Sequence, residues 1–200
     1  MDVFPLSPFP IRPSLAKLRP MAVRDFWVFG YGSLMWNPGF QFIERKQAIV
    51  HGYHRSLCMY SYMYRGTPER PGLVLGLDLG GACHGVAFKV AAEDWEKALA
   101  YLRAREQVTM MYREIIGPAR FVDDKASPVE ALAFVVDRRH AQYAGRLDHA
   151  TQMRHILQGH GQSGSCRDYV LNTVAHLRAI GIRDHHLERL AVDLALAPID

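Results

Sequence analysis

From Phe26 to Ile43 the chain carries no formal charge, yet glycine, asparagine and proline cut the run into short pieces. Left uninterrupted, an apolar stretch of this length would suit a membrane-spanning helix. Gly30, Gly32, Asn37, Pro38 and Gly39 would break such a helix. The segment WVFGYGSLMWNPGF, Trp27 to Phe40, therefore reads as a strand at Phe26–Phe29 followed by a glycine-rich corner bracketed by aromatics.

The rest of the first half repeats that grammar. β-rich apolar runs at Lys46–Tyr53, Ser56–Tyr64, Leu73–Leu79 and Gly85–Val90 are separated by Pro68, Pro71 and Gly80-Gly81. A helical pattern follows from Ala92 to about Gln107, with Trp95, Ala98, Leu99 and Leu102 on one face. A strand pair, Tyr112–Phe121 and Val129–Val136, brackets a turn at Asp123-Asp124-Lys125. The last third is helical. Leu147–Leu157 ends at Gly159, and GHGQSGS reads as a loop. Ser165-x-x-Asp168 opens a helix with Val170, Leu171, Val174 and Leu177 inward, ended by Gly181. Asp184 caps a final helix with Leu187, Leu190, Ala191 and Leu194 inward. Strands first, one helix among them and helices last predict an α+β fold around a small barrel-like sheet.

Two hundred residues suit one domain. The expected division is a Pro-rich N-terminal extension over residues 1–24 and a single domain over 25–200. The extension has five prolines up to Met21, a possible true start, and no basic start followed by an apolar core. It does not read as a signal peptide. The net charge of +4 is scattered, its densest runs being Arg103–Arg105 and Arg138-Arg139-His140. These are too short for a nucleic-acid stripe and read as solvated faces, compatible with a mildly anionic small substrate. Cys58, Cys83 and Cys166 are odd in number and far apart, which fits reduced thiols in a cytoplasmic protein. His51-x-x-His54 and His185-His186 have no cysteine or carboxylate set at ligand spacing, so no metal site is expected. Oligomeric state leaves no mark in the sequence.

What chemistry could the corner at Gly30–Gly32 carry? A dinucleotide fingerprint would need glycine where Met35 stands and an acid some twenty residues on. A phosphate loop would need Gly-Lys-Ser/Thr, and a nucleophile elbow would need glycines in place of Tyr31 and Met35. What such a loop can do is present backbone N–H groups to a carboxylate or an oxyanion. The alternative is a tight corner packed under aromatics. A second feature concerns the stripe Trp95, Leu99, Leu102, which continues four residues on to Glu106 in YLRARE. That places a carboxyl on the buried face at the C-terminal end of the helix, where low dielectric and the helix dipole disfavour its charge. Such a carboxyl can act as a base near neutrality. Pairing with Arg103 or Arg113 is the structural alternative.

FGYGSLMWNPGF, RGTPERPGLVLGLDLGGACHGVAFKV, YLRARE and SGSCRDYVLNTVAHLRAIGIRDHHLERL together resemble the ChaC-type γ-glutamylcyclotransferases, in that family's order and over nearly all of Phe26 to Leu196. The resemblance implies a small mixed β-barrel with flanking helices. It implies an enzyme that turns glutathione into 5-oxoproline and Cys-Gly, with no cofactor, no nucleic acid and no membrane. Carried over by position, Tyr31, Gly32, Ser33 and Leu34 match the family's substrate-binding loop, Glu106 its catalytic glutamate, and Tyr143 a tyrosine near the pocket. In the implied reaction the glutamyl α-amine loses its proton to Glu106 and attacks its own γ-carbonyl. Glu106 then protonates the leaving nitrogen, and ring closure within one molecule makes positioning a large part of the acceleration. One departure stands out. Where many glutathione-acting members have a polar stretch, this chain has MYSYMYRGTP, Met59 to Pro68. If that strand lines the pocket, other γ-glutamyl amines or amino acids become credible substrates; otherwise its aromatics are barrel packing. A third alternative is a non-catalytic γ-glutamyl-binding regulator, against which the presence of Glu106 argues.

Overall fold

The computed structural model describes residues 25–106, 110–123 and 127–198. The Pro-rich extension, Gln107 and the Asp124-Lys125 turn lie outside them. The chain divides into two compact units. The first runs up to Arg55 and resumes over Leu77–Val135; the second comprises Ser56–Gly76 and the chain from Val136 onward.

Five strands form a closed barrel: β1 (Phe26–Gly30), β2 (Glu44–Ser61), β3 (Gly72–Val90), β4 (Tyr112–Phe121) and β5 (Val129–Val136), in the order β1-β3-β2-β4-β5. β1 runs antiparallel to β3, with Phe26 opposite Val90 and Gly30 opposite Val86. It closes the barrel by pairing parallel to β5, Trp27 opposite Ala131. β4 pairs antiparallel with β2, Val50 opposite Ala119. The sheet is thus mixed, as expected. Four expected strands merge into two, because neither His54-Arg55 nor Gly80-Gly81 breaks its strand. Gly80 and Gly81 take φ of 101° and 73° within β3, and the Gly80 carbonyl lies 3.0 Å from the His54 ring.

In the first unit Val28, Phe29, Ala48, Val50, Phe88, Leu132 and Phe134 are buried. After β3, a 3-10 turn at Ala92–Asp94 leads into α1 (Trp95–Glu106), whose Trp95, Ala98, Leu99 and Leu102 are buried. The Trp95 ring stacks on Phe26, centroids 4.3 Å apart, and fixes the helix by its N-terminal end.

In the second unit α2 (His149–Gln158), α3 (Cys166–Ala179) and α4 (His185–Leu196) pack on one another. Each opens on a side-chain cap: Asp148 accepts from Thr151 N–H, Ser165 from Asp168 N–H and Asp184 from Leu187 N–H. α3 closes as the sequence indicates. Gly181, at φ 75°, donates to the Arg178 carbonyl, and buried Ile182 donates to the Leu177 carbonyl. Two expectations are corrected. GHGQSGS holds a small hairpin, β6 (His160–Gly161) with β7 (Gly164–Ser165), with Gly164 at φ 92°. On α3 the position expected for Leu171 is only half-buried, and Thr173 is buried instead, its hydroxyl bonded to the Tyr169 carbonyl.

Candidate active site

The glycine corner after β1 contains a single 3-10 turn, Ser33–Met35. Met35 N–H bonds to the Gly32 carbonyl at 2.9 Å and Asn37 N–H to the Ser33 carbonyl at 2.9 Å. A helical turn of this kind leaves its first N–H groups, here those of Ser33 and Leu34, without an intrahelical acceptor. Tyr31 and Leu34 are buried, so aromatics and aliphatics do pack under the corner. Packing under the corner and presentation of its backbone are compatible.

The loop carries no charge of its own and is held by two arginines from distant sequence. Arg55, on β2, donates to the Tyr31 carbonyl at 2.5 Å and to the His84 carbonyl at 2.6 Å. Its Nη2 also lies 3.9 Å from Met35 Sδ. Arg105, in the last turn of α1, donates from Nη2 to Ser33 Oγ at 2.9 Å. Its Nη1 reaches the Asn37 carbonyl at 2.7 Å and the Tyr101 hydroxyl at 3.1 Å. Further along the corner, Gly39 sits at φ +74° with the Tyr101 hydroxyl where a Cβ would stand. No larger residue fits there while Tyr101 keeps its place.

Glu106 is the last residue of α1 and its side chain is 16% exposed. Burial raises its carboxyl above the ordinary carboxylate range, and the charge of Arg105 opposes that rise. Arg105 Nε stands 3.3 Å from Glu106 Oε1. The expected alternative partner, Arg103, is engaged elsewhere, in a bidentate pair with Glu114 at 2.6 and 2.9 Å. Arg113 is exposed on β4. Glu106 and the Tyr31–Leu34 loop are thus joined in one unit through a single guanidinium.

Tyr143 belongs to the second unit. It is half-buried, pairs with Met59 through an isolated β-bridge, and has the Arg138 guanidinium 5.9 Å over its ring. The MYSYMY stretch divides in two. Met59 and Ser61 are buried, whereas Tyr62, Met63 and Tyr64 follow the end of β2 and are 37%, 43% and 38% exposed. Tyr60 links the halves, stacked on Tyr62 at 6.3 Å and tilted against His155 at 5.1 Å. Barrel packing accounts for Met59 alone among the large residues of this departure.

Sequence reasoning misses both arginines. Arg105 is visible there only as the residue before Glu106 and as part of the Arg103–Arg105 run. The reading of that run as a solvated face fails at Arg105, whose side chain is 21% exposed and bonded to Ser33 and Asn37. Arg55 sits unmarked in the expected break between two strands, 24 residues from the carbonyl it holds. Sequence reasoning also misses His84, whose Nε2 is, among the described residues, the buried side-chain nitrogen with no hydrogen-bond partner. Burial first, and the Arg55 charge second, lower the His84 pKa below its ordinary 6.5, so its ring is neutral at pH 7. Among the described residues no cluster of three histidine, cysteine or carboxylate side chains could hold a metal, and no helix is long and apolar enough to cross a membrane. A cavity of about 340 Å³ is lined by Gly39, Phe40, Gln41, Asp94, Lys97, Ala98 and Tyr101. None of the expected site residues lines it, and Tyr101 is its link to Arg105.

Comparison with known proteins gives the family and the fold. Residues 26–195 match the family model described as ChaC-like protein. The chain is 33% identical over 168 residues to the glutathione-specific gamma-glutamylcyclotransferase of Escherichia coli, covering 84% of this chain and 72% of that one. It is 33% identical over 193 residues to glutathione-specific gamma-glutamylcyclotransferase 1 of Mus musculus, covering 92% and 84%. Among solved structures, a glutathione-specific γ-glutamyl cyclotransferase from yeast superposes with a TM-score of 0.76 over 86% of this chain and 96% of that one. At 21% identity that likeness speaks for the fold.

Proposed function

This chain belongs to the ChaC-like family, and from that premise we propose that it is a γ-glutamylcyclotransferase that cleaves glutathione to 5-oxoproline and Cys-Gly in the cytoplasm. The observation that carries the reading is Glu106: a desolvated carboxyl with a raised pKa, tied through Arg105 to the hydroxyl of Ser33.

The substrate's α-amine is an ammonium at pH 7 and must lose a proton before it can attack. A carboxylate with an ordinary pKa is a weak acceptor for that proton, and raising the pKa strengthens it. Glu106 takes the proton, and the amine nitrogen bonds to the γ-carbonyl carbon of its own glutamyl group. The tetrahedral centre then collapses, the bond from that carbon to the cysteinyl nitrogen breaks, and Glu106 returns its proton to the leaving nitrogen. The attacking nitrogen gives up its second proton as it becomes the lactam N–H, and the freed amine departs as an ammonium. Atoms and charge balance with no cofactor. Ser33 and Leu34 N–H, with the Tyr31 and Gly32 backbone shaping the corner, receive the substrate carboxylate or the oxyanion. Tyr143 is a further substrate-binding residue in this reading, and Tyr143→Phe should raise KM.

A second substrate class has one observation in its favour. Tyr62, Met63 and Tyr64 are exposed where the family resemblance would put polar residues, which would favour γ-glutamyl amides with an apolar amine part. The deciding experiment is 5-oxoproline release from glutathione, γ-glutamyl amino acids and γ-glutamyl amines, with and without a chelator. Release from glutathione at the highest kcat/KM, unaffected by chelation, is the expected result. Release from none of them would reject the reading, and a preference for an apolar amine would move it to the second class.

A further inference from the structure

We propose that Arg105 is the positioning residue of this site, holding Glu106 and Ser33 in one register and turning the Ser33 hydroxyl into a donor aimed at the substrate. The inference rests on the reading of Glu106 as the proton acceptor.

The guanidinium of Arg105 spends its donors on four different groups. Nη2 goes to Ser33 Oγ, Nη1 to the Asn37 carbonyl and the Tyr101 hydroxyl, and Nε faces Glu106 Oε1. The sequence separations are 72 residues to Ser33 and 68 to Asn37, against one to Glu106. One rigid planar group therefore sets the distance between the end of α1 and the glycine loop. Its side chain is 21% exposed and that of Glu106 16%, so this is not a solvated surface pair of the kind that contributes little.

The direction of the Ser33 bond has a chemical consequence. A hydroxyl has one proton to donate and lone pairs to accept with, and arginine can only donate. With Arg105 occupying a lone pair, the Ser33 proton must point elsewhere, and it is available to an anionic oxygen. The guanidinium behind it polarises that O–H further. Lysine could keep the charge but not the fork, because its three donors sit on one atom. Arg105 also acts on Glu106 in two ways. Its charge favours the carboxylate against burial, and its contact holds the side chain that accepts the proton. Arg103, in the same last turn of α1, is engaged in a bidentate pair with Glu114, whereas it is Arg105 that donates to Ser33 and Asn37 of the loop.

The test is the pH dependence of 5-oxoproline release by the full chain and its Arg105→Lys, Arg105→Met, Ser33→Ala and Arg105→Lys/Ser33→Ala variants, beside thermal unfolding. Arg105→Met removes the charge that opposes burial, so the acidic limb of kcat/KM should move to higher pH and kcat should fall. Arg105→Lys should leave that limb close to its original place while kcat/KM falls about 10²-fold, the scale of a misplaced catalytic geometry. Ser33→Ala should act mainly on KM, and its loss should shrink in the Arg105→Lys background, since the hydroxyl is no longer oriented there. If Arg105→Met does not fold, the Lys and Ser33 cycle still decides. An unmoved limb in Arg105→Met, additive losses in the cycle, or activity that merely tracks the folded fraction would overturn the proposal. Glu106→Gln separates the two readings: full turnover in that variant overturns Glu106 as the proton acceptor, and this inference with it, whereas lost turnover beside unaffected Arg105 variants removes only this inference.

Discussion

The helices of the second unit and the glycine corner of the first are held together by opposite strategies. In α2, α3 and α4 the decisive hydrogen bonds are local: each cap acceptor lies three residues from the N–H it receives. In the corner they are remote, with Arg55 reaching 24 and 29 residues and Arg105 reaching 68 and 72. Local caps stabilise an element that sequence has already specified. Remote guanidinium bonds specify a geometry that the local sequence leaves open, and this is the region where chemistry needs a fixed geometry.

The comparison breaks most readily at Arg55. Arg55→Met keeps an apolar stem but takes the guanidinium away from the Tyr31 and His84 carbonyls. A hydrogen bond to a charged group contributes about 1.5–3 kcal/mol, so a loss of about 3 kcal/mol is expected from the pair. Turnover should fall further than stability, because the corner carries the proposed substrate loop. Chemical denaturation with parallel activity assays checks it; a stable variant with normal kcat would remove Arg55 from the account.

The caps should behave in the other way. Asp148→Ala, Ser165→Ala and Asp184→Ala should each cost about 1 kcal/mol and add nearly independently, with kcat unchanged. A cap variant that lost turnover while folded would show that the local and remote regions are not separable in this manner. In the same unit Cys166 lies fully buried, its thiol donating to the Leu73 carbonyl at 3.1 Å and receiving the Leu73 N–H at 3.3 Å. Burial pushes its pKa up to about 11. It should therefore resist thiol reagents at pH 7–8 in the native state and react only as fast as the chain opens. Mass spectrometry after timed alkylation reads this directly.

The smallest expected effect is a pH dependence of stability. Folded Glu106 holds its proton more firmly than unfolded Glu106, because burial raises its pKa. The folded state then binds more protons over that window, so the associated stability is fully present below the ordinary carboxylate pKa and is lost as pH rises through the raised value. Glu106→Gln lacks this component. Its stability relative to the parent chain should rise with pH across the window and level off above it. A difference that is flat with pH would mean the carboxyl is not desolvated.

Legibility follows the same division. The starts of α3 and α4 and the end of α3 can be read because Ser165, Asp184 and Gly181 act on neighbours within four residues, whereas Asp148, inside the expected Leu147–Leu157 helix, is the cap of a helix that begins at His149. Glu106 can be read because the stripe Trp95, Leu99, Leu102 carries a period into it. The merging of strands across His54-Arg55 and Gly80-Gly81 cannot, since a barrel's pairing overrides local punctuation. The role of Arg55 has no local trace, and neither does the fork by which Arg105 joins Ser33, Asn37, Tyr101 and Glu106. A family resemblance points to the loop and the glutamate; only the folded chain connects them.

The central claim is that Glu106 is the base, and 5-oxoproline release from glutathione by Glu106→Gln, measured beside its thermal unfolding, tests it most directly. Glutamine keeps the shape and the hydrogen bonding but cannot accept the ammonium proton. The account predicts a fold at least as stable as the parent at pH 7, retained substrate binding, and turnover reduced about 10²–10⁴-fold. A stable Glu106→Gln chain that releases 5-oxoproline at close to the parent rate would contradict it.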